Sequence, residues 1–317
     1  MTRPALAVLA LALNAFVWGL SWWPLRQLDT HGLHPLWATA CVFALATVVL
    51  ILITPSGWRH FKQHPQLWWL MAASGLTNVG FNWAVTTGDV VRVVLLFYLM
   101  PTWSLLLAWW LLGERPTRGA LMRLSLALVG VLLVLKTPDS PWPLPQDVSD
   151  VLALLAGFSF ALTNIWLLRL QHTPESSRML AMFGGGALMA LACAAVATLT
   201  GVIPAVFALP MDGFGMSTIA VWLSDANMTQ VIATWAPYVM GLSAAFLVSN
   251  FTLQYGAARL SAHTTAMVMM SEVVFASVSS VALGASALTW RVGLGGGMIV
   301  TAALLASHIQ TSKGNTP

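Results

Sequence analysis

Charge is what this sequence has least of. Only 8% of its 317 residues are charged, against 58% hydrophobic. A soluble domain of that length needs far more charge to cover its surface. The shortage argues against a soluble globular protein, and no nucleic-acid partner is expected. Cysteine is scarce too. Cys41 and Cys193 both fall inside apolar runs, where small buried hydrophobes are the simple reading and a disulfide or metal pair is not. There is no His-Glu-x-x-His zinc motif and no Gly-x-Ser-x-Gly elbow. "GLGGG" (293–297) lacks the Gly-Lys-Ser/Thr ending of a phosphate loop. No cofactor, no metal and no enzymatic chemistry are expected.

What the chain has is apolar length. Mean hydropathy is +0.80. A helix needs ~20 mostly apolar residues to cross the hydrocarbon core. Ten such runs occur, at about 5–24, 35–54, 66–86, 90–112, 119–136, 149–168, 178–200, 231–253, 262–283 and 289–308. Arg3 before the first run imitates a signal peptide, but nine more runs follow, so it reads as a first span. The expectation is an all-α polytopic membrane protein of ten transmembrane helices, with the lipid bilayer as its solvent. An even number of spans puts both termini on one side. Taking that side as cytoplasmic leaves 10 Lys and Arg inside, among them Arg59, Arg115, Arg178 and Arg259, and 4 outside: Arg26, Arg92, Lys136 and Arg291. That is the asymmetry of the positive-inside rule.

The chain also resembles itself. At an offset of 172, Asn78 meets Asn250, Asn82 meets Gln254 and Trp83 meets Tyr255. After a one-residue slip, Arg92 meets His263, Pro101 meets Glu272 and Gly113 meets Gly284. Each half carries five spans, so the second half is inserted upside down relative to the first. Such inverted repeats mark secondary transporters, with a substrate site near the midplane. The halves divide at the proline- and acid-rich linker "TPDSPWPLPQDVSD" (137–150), giving repeats over 1–140 and 141–317.

Three stretches carry a family resemblance: "AFVWGLSWWPLRQL" near the start, "LFYLMPTWSLLLAWWLLGERPT" in the fourth run, and "SEVVFASVSSVALGASALT" in the ninth. On these the chain resembles the EamA type of the drug/metabolite transporter (DMT) superfamily. The resemblance implies ten helices in two inverted five-helix repeats, cytoplasmic termini, and export of small organic metabolites such as amino acids across a bacterial inner membrane. It leaves room for a homodimer. Two departures stand out: Val273 replaces the family's proline after Glu272, and Ala285 replaces its second Gly-Glu. The link over 201–229 is long for the family, and its role is open.

Polar residues inside a bilayer are costly and face a bundle interior or a wet cavity. They recur here at helical spacing: Asn14, Trp18, Ser21 and Trp22 in the first run; Asn78, Asn82 and Thr86 in the third; Tyr98, Pro101 and Ser104 in the fourth; Ser159 and Thr163 in the sixth; Ser243, Asn250 and Gln254 in the eighth; Thr265, Glu272 and Ser279 in the ninth. The expected substrate site draws on Glu272, Asn78, Asn82, Tyr98, Pro101, Asn250, Gln254, Trp18, Ser21 and Thr163. The plainer alternative for the Ser, Thr and Asn members is interhelical hydrogen bonding at about 0.6 kcal/mol each.

Pro101 removes a backbone donor and frees the Phe97 carbonyl, predicting a kink. With no proline after Glu272, the ninth helix is expected to be straighter. Glu272 stands in a run with no other charge, where hydrocarbon disfavours the ionised form. As an acid it could hold a substrate ammonium or carry a coupling proton. The bland alternative is a protonated acid bonded to Asn250 or Tyr98. Arg92 reads as an interfacial anchor. Gly293 and Gly297, and Gly186 with Ala190 and Ala194, read as close-packing faces. Most tryptophans fall at span ends, as aromatic belts do; Trp18 and Trp103 lie deeper. An intramembrane enzyme is the rival reading, but Asp89 has no partner Asp in another span; a channel is the other, but no ring of like charge is visible. A small-molecule transporter working by alternating access is the expectation.

Overall fold

The computed structural model describes residues 3–112, 117–136, 144–203, 226–260, 265 and 268–313. Among them there is no strand. The helices are α1 (Arg3–Leu20), α2 (Trp22–Thr30), α3 (Pro35–Ile53), α4 (His60–Gln63), α5 (Gln66–Thr87), α6 (Val90–Phe97), α7 (Met100–Leu112), α8 (Arg118–Leu135), α9 (Val148–Arg169), α10 (Glu175–Leu199), α11 (Ala226–Ala257), α12 (Ser271–Ala282) and α13 (Trp290–Lys313). Polar residues start several of them. Asp89, Thr117 and Asp147 accept the amides of Arg92, Ala120 and Asp150 at the N-termini of α6, α8 and α9. Such caps satisfy donors that a helix leaves open. Gly32, with φ +87°, ends the α2 segment in the left-handed conformation that favours glycine.

Seven helical segments are long and apolar enough to cross a membrane: Ala5–Thr30, Pro35–Ile53, Val90–Leu107, Arg118–Leu135, Val148–Arg169, Glu175–Leu199 and Ile232–Ala257. The protein is a multi-pass membrane protein on that count. The other three expected spans differ for physical reasons. α5 has 22 residues, but Ser74, Thr77, Asn78, Asn82, Thr86 and Thr87 dilute its apolarity. α13 has 24 residues but carries glycines and a polar end. The ninth span is described as a helix over the 12 residues of α12; residues 261–264 and 266–267, including His263, lie outside the described residues, as does Gly113.

The two halves interlock. α1 packs on α11 and α12; α9 packs on α5, α6 and α7. α3 lies against α10, and α8 against α13. Close approach depends on small residues, since lipid tails offer no hydrophobic drive for helix pairing. At the α5–α10 crossing, a Cβ on Gly75 would lie 2.5 Å from the Gly185 carbonyl oxygen. At the α8–α13 crossing, a Cβ on Gly130 would lie 2.6 Å from the Gly295 carbonyl oxygen. Gly186, Ala190 and Ala194 are buried, Gly186 against the Phe43 ring. Gly293 and Gly297 are not packed as expected: a Cβ on either meets nothing within 4 Å. The intrachain face of α13 is instead carried by Gly295 and Gly296, about half a helical turn away.

These contacts set a contrast within one helix pair. Gly130→Leu is expected to destabilise the protein by about 1–3 kcal/mol, the usual range for overpacking. Gly293→Leu is expected to be neutral. Chemical unfolding in micelles, followed by circular dichroism, measures both; equal effects would contradict the packing.

Candidate functional site

The fourth span is two helices, not one. α6 ends at Phe97, a turn follows at Tyr98 and Leu99, and α7 begins at Met100. Pro101 therefore stands in the first turn of α7, where a missing N–H costs least. The Phe97 carbonyl lies against Gly157 of α9, where an added Cβ would come within 2.7 Å of its oxygen. The break is thus both a proline effect and a packing fit.

The expected ninth span carries a turn at the position that the repeat alignment pairs with Leu99. Helical structure is interrupted at Met270 and resumes at Ser271. The one-residue-slipped repeat alignment pairs Leu99 with Met270 and Pro101 with Glu272. Met270 keeps a right-handed helical backbone, with φ −66° and ψ −14°.

A side-chain bond joins the two turns. The Tyr98 hydroxyl donates to Glu272 Oε2 at 2.9 Å and also lies 3.2 Å from the Met269 carbonyl. Both residues are buried, Glu272 at 6% exposure. Gly19 of α1 packs on the Glu272 backbone, where a Cβ would sit 2.9 Å from the Glu272 carbonyl oxygen. Two acids are buried among the described residues, Glu272 and Asp150, and of these Asp150 is paired with an arginine.

Around this joint the interior is aromatic. Trp18 stacks on Phe246 at 4.5 Å between ring centroids and meets Phe81 edge-on at 6.2 Å. Phe81 touches Phe97, and Phe97 touches Tyr98 and Phe160. Phe43 adds contacts to Phe183 and Phe246. Sequence reasoning named only Trp18 and Tyr98 of this cluster as site residues, because phenylalanines in apolar helices carry no periodic signal of their own.

The remaining expected site residues separate into local and interhelical roles. Asn78 donates to Ser74 O, Gln254 to Asn250 Oδ1, and Thr163 to Ser159 O, each within its own helix. Ser21 donates to Trp18 O at the α1–α2 bend. Asn82, fully buried, reaches Thr39 Oγ1 of α3 at 3.3 Å, and its Oδ1 has no partner among the described residues. Asn14 holds Ser249 of α11 through both the hydroxyl and the carbonyl. Ser243 donates to Val42 O of α3, and Ser159 to Ala73 O of α5. Trp103 meets Phe158 edge-on, and its indole N–H has no partner among the described residues. The structure thus brings Tyr98, Glu272, Pro101 and Trp18 towards one region. It gives Asn14, Asn82, Ser159 and Ser243 bonds between helices and leaves Asn78, Gln254 and Thr163 bonded within their own.

One end of the bundle carries charge. Arg92 grips Asp150 with two bonds of 2.7 Å and donates to the Val134 and Leu135 carbonyls at the end of α8. Arg92 is 13% exposed and Asp150 2%. This is a bidentate clamp over α6, α8 and α9, not the interfacial anchor expected. Asp150 lies at the end of the linker, far from Arg92 in sequence, so no spacing signal existed. At the same end Arg26 donates to the Val85 and Gly88 carbonyls. It lines a polar cavity of about 440 Å³ with Asp29, Thr86, Thr87 and Asp89. Among the described residues no group of three or more His, Cys, Asp or Glu could hold a metal.

With this geometry in place, comparison with known proteins is informative. Residues 5–136 match the EamA-like transporter family. An uncharacterized transporter of Pseudomonas aeruginosa is 35% identical over 122 residues, 36% of this chain and 39% of that protein's length. Protein RarD of Streptomyces exfoliatus is 26% identical over 251 residues, 71% of this chain and 76% of that protein. A solved structure titled "Crystal structure of protein" aligns over 96% of this chain and 98% of its own, with TM-score 0.55 and 17% identity, a likeness of fold alone. The resemblance to EamA-type transporters is shown over residues 5–136.

The clamp yields a stability test. Asp150→Asn leaves the Arg92 guanidinium without its counter-charge and is expected to cost about 3–5 kcal/mol, as for a buried pair broken on one side. The double change Arg92→Met with Asp150→Leu is expected to recover at least half of that loss. Unfolding in micelles measures both, and a double variant no better than the single one would contradict a paired role.

Proposed function

We propose that this protein is a secondary transporter that exports small organic metabolites, amino acids or related amine-bearing compounds, across the bacterial inner membrane. Both termini face the cytoplasm in this reading. The two halves rock about the aromatic interior, exposing Glu272 to one side and then the other. Glu272 holds the substrate ammonium or the coupling proton, and Tyr98 positions its carboxyl group. Pro101 and the turn before Ser271 are the hinges. The observation that carries the reading is the Tyr98–Glu272 bond, set between the turns of two spans that the repeat alignment pairs.

The packing supports the two-repeat arrangement. If spans one to five correspond to six to ten, the packing of α1 on α11 and α12 corresponds to that of α9 on α5 and α6. Each half lends its first span to the third and fourth spans of the other. The contacts α3–α10 and α8–α13 map onto themselves. Inverted repeats produce such reciprocity.

Proteoliposomes with an imposed pH gradient test the function. Uptake of a labelled amino acid or amine is expected to follow the gradient in the wild type. It is expected to fall at least tenfold in Glu272→Gln, which keeps the shape but cannot ionise. Unchanged transport in that variant would remove Glu272 from the mechanism. Chemical conversion of the compound without vectorial movement would remove the transport reading.

A further inference from the structure

Beside the Glu272 helix, apart from the Tyr98–Glu272 joint, lies a groove. It opens between α1, α2, α11 and α12 with a volume of about 390 Å³. Its walls are hydrocarbon, from Phe16, Leu20, Leu242 and Leu283 among others. Two of its polar groups are bonded within the protein. The Trp22 indole N–H donates to Ser279 Oγ at 3.0 Å, and the Ser21 hydroxyl donates to Trp18 O at 2.8 Å. The wall is almost wholly apolar and opens to the surface of the bundle.

The surroundings indicate what fills it. Trp23, Val278 and Leu283 are 44%, 64% and 61% exposed. In a multi-pass membrane protein such apolar surface faces lipid tails. Trp23 and Tyr238 line one end of the groove, and Trp23 and His31 each lie about 6 Å from the Tyr238 ring. Trp235 ties its indole N–H to His31 O. Amphipathic rings of this kind sit where headgroups meet tails. An apolar slot with an aromatic rim matches one acyl chain entering from the leaflet that touches the rim.

We propose that this groove binds a phospholipid acyl chain, wedged between α11 and α12. Gly241 lines the slot, and a Cβ there meets nothing within 4 Å. The glycine thus leaves room that no protein group fills. Gly293 has the same open surroundings but lies on α13, outside the groove.

The test uses the full chain in phosphatidylethanolamine–phosphatidylglycerol vesicles containing a phospholipid with a diazirine on its acyl chain. After illumination, mass spectrometry locates the labelled peptides. Labelling is expected to concentrate on peptides carrying Leu20, Leu242 and Leu283. Gly241→Leu is expected to reduce it at least fivefold, and Gly293→Leu to leave it unchanged. Ala245→Phe, one turn along the same wall, is expected to repeat the loss and guards against a folding defect in the first variant. Labelling spread evenly over the apolar surface, or unchanged in Gly241→Leu and Ala245→Phe, would overturn the proposal. Displacement of the lipid probe by a transported amine would also overturn it, assigning the groove to substrate.

Discussion

A carboxyl group inside an apolar bundle must find its hydrogen-bond partner within the protein, because lipid supplies none. Glu272 meets that demand through Tyr98, which belongs to the other half of the chain. The bond therefore does more than satisfy one acid. It ties the halves together at the point where both of the expected spans carry a turn. Hydrophobic burial cannot do this, since helices surrounded by lipid gain little from hiding apolar surface. Specificity of assembly has to come from shape and from a few polar contacts.

The rest of the packing follows from that restriction. Helix crossings are made where Gly75 meets Gly185 and where Gly130 meets Gly295, because only bare backbones can approach so closely. Asn14, Ser159 and Ser243 then add single bonds to a neighbouring backbone. Each is small, but each is directional. The Arg92–Asp150 clamp is the one strong exception, and it sits at the bundle end, where desolvating the charges costs less than at mid-depth. Strong electrostatics at the rim and weak bonds within are what the bilayer's cost gradient favours.

Much of this was legible in the sequence, for identifiable reasons. Apolar runs announce helices because the bilayer demands length, and Glu272 announced itself because charge there is rare. Pro101 announced a break but not its full extent; the matching turn before Ser271 has no proline to reveal it. The asparagines misled in a specific way. Helical spacing shows that Asn78 and Asn82 share a face, but not that Asn78 bonds its own helix while Asn82 reaches Thr39. The glycine stripe of α13 misled similarly, since the motif fixes spacing and not which face meets the partner. Arg92 and Asp150 were invisible as a pair because only the fold brings the linker to α6.

The distribution of fastenings says which parts are free to move. α6 is held to α8 and α9 by the Arg92 clamp and by the fit of Phe97 on Gly157. α12 is held to α1 by Gly19 and to α2 by the Trp22–Ser279 bond. Each piece beyond a turn is thus anchored to the opposite half. The two anchored pieces meet only weakly in polar terms, through Tyr98 and Glu272. On the proposed reading, this is where ligand energy acts. A phenol donates more strongly to a carboxylate than to a neutral acid. On that reading a proton, or a substrate ammonium that draws the carboxylate's charge, loosens the Tyr98–Glu272 bond across the joint, and binding and rocking are coupled because the group proposed to recognise the ligand is also one of those that tie the halves together.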